Sequence, residues 1–160
     1  MSIRQYRPRI AERRASHTKL FRLTSFLLVV FIFEEIFYPL SHEERLRQLT
    51  LLIVYTAAIM VLFHALLSFG AKYFWFYFFL TLFASYGIEL LGSKTGWPFG
   101  RYTYSSTLGF AIGGVPLVVP FAWLMMVHPI LITSRKISKH WTFLVGGIGL
   151  AIWDLFLDPQ

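Results

Sequence analysis

Apolar residues in this chain fall in long runs rather than in short amphipathic stretches. Five runs approach the roughly 20 residues that a helix needs to cross a bilayer. They cover residues 23–40, 48–69, 71–92, 107–133 and 141–157. No internal repeat relates them, and no long Pro/Ser/Gly linker divides them. The pattern therefore predicts an all-α, polytopic transmembrane bundle of about five spans. It forms a single domain over 23–160, preceded by a basic segment over 1–22. The fourth run is not uniform, because Gly113-Gly114-Val115-Pro116 and then Pro120 interrupt it. Proline removes a backbone donor and kinks a helix. At membrane depth such a break is tolerated only against protein or a polar cavity, which puts this helix in the bundle interior. Gly146, Gly147 and Gly149 in the fifth run leave room for close helix contact.

Composition agrees with a membrane setting. The chain is 56% hydrophobic and only 14% charged, too apolar for a soluble domain with a polar surface. It has no cysteine, which excludes disulfides, a thiolate nucleophile, iron–sulfur clusters and Cys-ligated zinc. The formal net charge of +7 would point to nucleic acid in a soluble protein. Here seven basic residues between Arg4 and Arg22 precede the first run, against the single acid Glu12. Juxtamembrane clusters of this kind orient a membrane protein and touch anionic lipid. No soluble basic domain remains to bind nucleic acid. With the N-terminus inside, Lys72, Arg135, Lys136 and Lys139 join that cluster on the cytoplasmic side. Arg45, Arg47, Lys94 and Arg101 fall on the other side. The positive-inside rule thus predicts an inner-membrane protein with a cytoplasmic N-terminus. Glu34 and Glu35 follow the first apolar stretch and no Ala-x-Ala site does, so a retained helix is expected rather than a cleaved signal peptide. The chain stops about where the fifth run stops, which reads as a fragment or a truncated reading frame.

The chemistry concentrates in residues 89–104. Glu89 sits near the end of the third run. A turn-rich stretch follows with Gly92, Gly96, Pro98 and Gly100, then Arg101, Tyr102 and Tyr104. A carboxyl group at membrane depth is costly and is a functional hypothesis by default. Apolar surroundings favour the neutral acid, a proton donor. The alternative is an interfacial Glu89 paired with Lys94 or Arg101. Arg101, Tyr102 and Tyr104 can orient a carboxylate or cap a cavity, or belong to an interfacial aromatic belt. Asp154 and Asp158 lie four apart and share a helix face. Two such carboxylates can act as an acid and a water-orienting base, hold one proton, or bind a divalent cation. They can equally be polar helix-end residues. Glu34 and Glu35 point about 100° apart on a helix and mark the end of the first span near Tyr38 and Pro39. His64 and His128 stand alone on apolar helices, each expected to bond a neighbouring helix. No zinc, haem or other metal site is expected from them. Walker, Gly-x-Ser-x-Gly and His-Glu-x-x-His motifs are missing from the sequence.

The run from Glu89 to Tyr104 is followed by Leu108-Gly109, Gly114-Val115-Pro116-Leu117, Pro120, Ala122-Trp123 and the closing Trp153-Asp154-Leu155-Phe156-Leu157-Asp158-Pro159-Gln160. Together these resemble the integral-membrane carotenoid biosynthesis family, of the carotenoid 1,2-hydratase and bisanhydrobacterioruberin hydratase type. The resemblance covers roughly 85–160. It implies addition of water to the terminal C1=C2 bond of an acyclic carotenoid. Protonation at C2 leaves positive charge at C1, and water attacks there. Such a site needs a protonated carboxyl, a second carboxylate for the water, and aromatic faces near the cation. Asp154 or Glu89 is then the acid, with Asp158 assisting, and Arg101, Tyr102, Tyr104, Trp123 and Trp153 meet the substrate. No cofactor is called for. The carotenoid enters laterally from the bilayer, and membrane lipid, a second copy or other pathway enzymes are the expected partners. Two other readings stay open: an end-group cyclase, which begins with the same protonation, and a non-catalytic membrane subunit or lipid-binding scaffold. A prenyl-diphosphate magnesium site would need a second Asp-rich motif, which the chain lacks.

Overall fold

The computed structural model describes residues 6–97 and 102–157, with side chains described over 16–97, 102–105 and 107–153. Four α-helices carry the fold: α1 (Tyr6–Phe37), α2 (Glu43–Thr95), α3 (Val118–Ile137) and α4 (Thr142–Leu157). A two-stranded antiparallel hairpin, β1 (Ala111–Ile112) and β2 (Val115–Pro116), lies between α2 and α3. α2 packs on α1 and on α3, and α4 packs on α3. Among the described residues, α2 and α3 are long and apolar enough to cross a membrane.

α2 is not one rod. At Gly70 the backbone adopts φ 82° and ψ 175°, a region that essentially only glycine occupies. A straight helix would hold Ala58 and Leu82 about 36 Å apart. Instead both belong to one apolar cluster with Val61, Leu62, Ala65, Tyr77 and Leu124. Gly70 therefore folds α2 back on itself, with a first arm over 43–69 and a second over 71–95. The expected runs 48–69 and 71–92 correspond to these arms. The first arm buries Val54, Ala57, Ala58, Val61, Leu62 and Ala65, spaced at the helical period so that one stripe faces inward. The second buries Tyr77, Thr81, Ser85, Glu89 and Gly92, a polar stripe. Its opposite side is apolar: Phe83 is 67% exposed, and Phe76, Phe79 and Leu80 accompany it. A helix that buries its polar groups and turns its apolar ones outward suits lipid better than water.

Of the first expected run, 23–40, residues 23–37 form the later part of α1, which runs unbroken from Tyr6 through the basic segment, and Tyr38–Leu40 form a short 3-10 turn after it. The fifth, 141–157, matches α4 closely. The fourth, 107–133, requires correction. Gly113 and Gly114 do not interrupt a helix; they are the two-residue turn of the hairpin, with φ 59° and 92°. Positive φ at both central positions makes the turn that matches strand twist. Ile112 pairs with Val115 and Ala111 with Pro116, and the Leu117 N–H donates to the Phe110 carbonyl at 2.9 Å. The helix starts only at Val118. Pro120 falls in its first turn, where the missing N–H breaks no helical bond, so it starts α3 rather than kinking it. The interior proline is Pro129.

Two glycines should respond oppositely to the same change. A Cβ at either Gly70 or Gly87 meets no atom within 4 Å, so only backbone preference differs. Gly70→Ala should destabilise the fold by about 1–3 kcal/mol, whereas Gly87→Ala, inside the helix, should stabilise it by about 0.5–1 kcal/mol. Reversible unfolding in mixed detergent micelles measures both. Equal effects would rule out the reversal at Gly70.

Candidate functional site: a carboxyl group held by three aromatic donors

Glu89 lies on the inward stripe of the second arm and is only 7% exposed. Three aromatic side chains from two parts of the chain converge on it. The Tyr102 phenol donates to Oε2 at 2.7 Å and the Tyr104 phenol to the same oxygen at 2.5 Å. The Trp123 indole N–H, from α3, donates to Oε1 at 2.9 Å. Both carboxyl oxygens are thereby satisfied, as a buried carboxyl requires. The rings of Tyr102 and Tyr104 meet edge to face with centroids 5.4 Å apart. Burial, then the hydrogen bond and negative charge of Glu89, push the Tyr104 phenol well above the ordinary tyrosine value, so Tyr104 holds its proton.

The approach of Tyr102 depends on a glycine. Gly92 is one turn beyond Glu89 on the same face, and a Cβ there would lie 2.6 Å from the Tyr102 Oη. No larger residue leaves the phenol where it is. Gly96, at φ 75°, then ends the helix, its N–H donating to the Gly92 carbonyl at 2.8 Å. The segment beyond is pinned at two further places. The Tyr86 phenol donates to the Ile112 carbonyl at 3.1 Å, seating the hairpin on α2. The Arg47 guanidinium, paired with Glu44 at the start of α2, donates to the Thr107 carbonyl. Both tyrosines thus sit on a strap fixed to the helix that carries Glu89.

Of the expected site residues, the structure brings together Glu89, Tyr102, Tyr104 and Trp123. Glu89 meets these aromatic donors, and among the described residues it makes no ion pair with Lys94. Trp153 lies on α4, 47% exposed, and is not among the partners of Glu89. Arg101 and Asp158 lie outside the described residues, as does the side chain of Asp154. His64 and His128 were each expected to bond a neighbouring helix, and they bond each other. His64 Nδ1 and His128 Nε2 are 3.1 Å apart, and the Tyr73 phenol reaches His128 Nδ1 at 2.9 Å. Among the described residues, no group of three or more His, Asp or Glu gathers as a metal ion would need. The sequence offered no signal for the roles of Gly92 and Arg47, which arise from contacts across the fold.

Residues 48–160, more than half of the chain, match the profile of a family described as "Carotenoid biosynthesis protein". The chain belongs to the carotenoid biosynthesis protein family. The match begins well before residue 85, taking in most of the first arm of α2, all of the second and the whole Glu89 cluster. This member is also similar to the bisanhydrobacterioruberin hydratase of Haloarcula japonica. The two are 38% identical over 89 residues, covering 50% of this chain and 29% of that protein. The chain therefore aligns with less than a third of the length of this relative. No solved structure matches it.

Because Gly92 only makes room for Tyr102, their substitutions should not add. Gly92→Ala and Tyr102→Phe should each cost about 1–3 kcal/mol, and the double variant about as much as the worse single one. Unfolding in mixed micelles gives the cycle, and full additivity would separate the two residues. Tyr104 carries a pH prediction. A raised phenol contributes its full stabilisation below the ordinary tyrosine value and loses it progressively as pH climbs from there to the raised one. An ordinary tyrosine is ionised by about pH 11. Tyr104→Phe should therefore leave the tyrosinate absorbance unchanged at that pH, and a loss of one tyrosinate would contradict the assignment.

Proposed function

We propose that this chain acts in the acid-catalysed hydration of the terminal C1=C2 bond of an acyclic carotenoid. One observation carries the reading: a buried carboxyl group inside the family's matched region, ringed by two phenols and an indole. Its neutral form has a proton on an oxygen already directed into aromatic surroundings. Transfer of that proton to C2 leaves a tertiary cation at C1. The faces of Tyr102, Tyr104 and Trp123 offer it negative quadrupole density. Water adds to C1 and loses a proton, which restores the acid, so atoms and charge balance with no redox partner. Asp154 and Asp158 are the proposed carboxylates for the water, and Arg101 and Trp153 are proposed to meet the substrate. The similarity to a protein named a hydratase supports the reaction type.

The same reading makes this an integral protein of the cytoplasmic membrane, with its N-terminus inside. α1, the two arms of α2, α3 and α4 would serve as five spans. The apolar outer face of α2 supports that placement. The carotenoid would reach Glu89 laterally from the bilayer.

Glu89→Gln keeps the shape and the indole contact but removes the transferable proton. In a bacterium that accumulates an acyclic carotenoid, the native chain should yield pigment heavier by one water. Glu89→Gln should lower that yield by about 100-fold or more, as expected for loss of a general acid. Pigment mass analysis reads both. A product of unchanged mass, cyclised or not, would overturn the reading.

A further inference from the structure

A second carboxyl group is buried away from the Glu89 cluster, on an element the family match does not reach. Glu34 lies one turn before the end of α1 and is 6% exposed. Its Oε1 accepts the Thr56 hydroxyl of α2 at 3.0 Å. Its Oε2 is buried and has no hydrogen-bond partner. Beside it a groove of about 400 Å³ opens between α1 and the first turns of α2. Phe33, Phe37, Leu49 and Leu52 make its walls apolar, while Ser41, Arg45 and Gln48 stand toward the α1–α2 connection. A buried carboxyl oxygen without a donor is unusual, because native structures satisfy such groups. Glu34 is itself among the residues that line this largely apolar groove.

We propose that this groove binds the hydroxyl end of an apolar chain, an isoprenoid or long-chain alcohol. The hydroxyl donates to Glu34 Oε2, and the adjoining hydrocarbon lies between Phe33, Phe37 and Leu52. A neutral donor fits better than an ammonium, since Arg45 already brings a positive charge to the same groove. The volume holds one end of a long chain, and the rest would extend along the outer faces of α1 and α2. The site requires only an alcohol, so it stands whether or not Glu89 hydrates a carotenoid.

The test uses the full chain in lipid nanodiscs, with radiolabelled geranylgeraniol, its primary amine and the hydrocarbon of the same skeleton as probes. Empty nanodiscs give the background partition. The alcohol should be retained saturably and about ten-fold more tightly than the hydrocarbon, the factor one net hydrogen bond supplies. Glu34→Leu should keep hydrocarbon retention and lose the preference for alcohol. Leu52→Trp, which adds bulk to the groove wall on α2 and leaves the Glu34 carboxyl in the chain, should lose retention of both, and it keeps the test decisive if Glu34→Leu does not fold. Equal retention of alcohol and hydrocarbon by the native chain would overturn the proposal. So would tighter retention of the amine, a preference that survives Glu34→Leu, or retention unaffected by Leu52→Trp.

Discussion

A carboxyl group taken out of water needs hydrogen-bond donors, and around Glu89 the architecture answers that need. Leaving one donor out would cost roughly 1.5–3 kcal/mol, a large share of the net stability of a domain. The donors come from α3 and from the strap that follows α2. The same three bonds that satisfy the carboxyl therefore also tie these pieces to the second arm. The strap's other fastenings, Tyr86 to Ile112 and Arg47 to Thr107, hold the backbone from which the two tyrosines reach. Gly92 makes the arrangement possible by leaving a gap where a side chain would collide with a phenol.

The reversal at Gly70 serves the same end. It brings the two arms of α2 together so that α3 can pack on both. From the first arm His64 reaches His128, and from the second Tyr73 does. The Tyr77 phenol donates to the Leu124 carbonyl close by. A run of polar contacts thus lies along the α2–α3 interface, from the histidine pair near Gly70 to Glu89 near the other end. Buried polar networks of this kind fix the mutual rotation of helices, because each member is costly to leave unpaired. Apolar packing alone tolerates sliding of a side chain or two. Glu34 is the exception, a buried carboxyl satisfied on one oxygen only.

Much of this was legible along the chain. The long apolar runs anticipated the helical class, and the runs meeting at Gly70 and Ala71 anticipated the two arms. Glu89, Tyr102 and Tyr104 stood out because acids and phenols are conspicuous beside so much hydrocarbon. The fourth run was misjudged because glycine and proline signal a break without stating its kind. Gly113-Gly114 can interrupt a helix or turn a hairpin, and the pairing of Ile112 with Val115 decides it. The hairpin is seated by Tyr86, 26 residues earlier, a contact that no local pattern encodes. The histidines looked isolated for the same reason, being 64 residues apart.

The sequence by itself determined the helical class, the positions of most helices, and the presence of a carboxyl and two phenols within a span of sixteen residues. These follow from local periodicity and from the high cost of polar groups in apolar surroundings, both of which act along the chain. Only the tertiary structure decided that Trp123 completes the ring of donors, that Gly92 makes room for Tyr102, and that Glu34 keeps one oxygen unpaired. Those outcomes depend on which helix faces meet. That is settled by packing between residues distant in sequence, where a shift of an ångström makes or breaks a hydrogen bond.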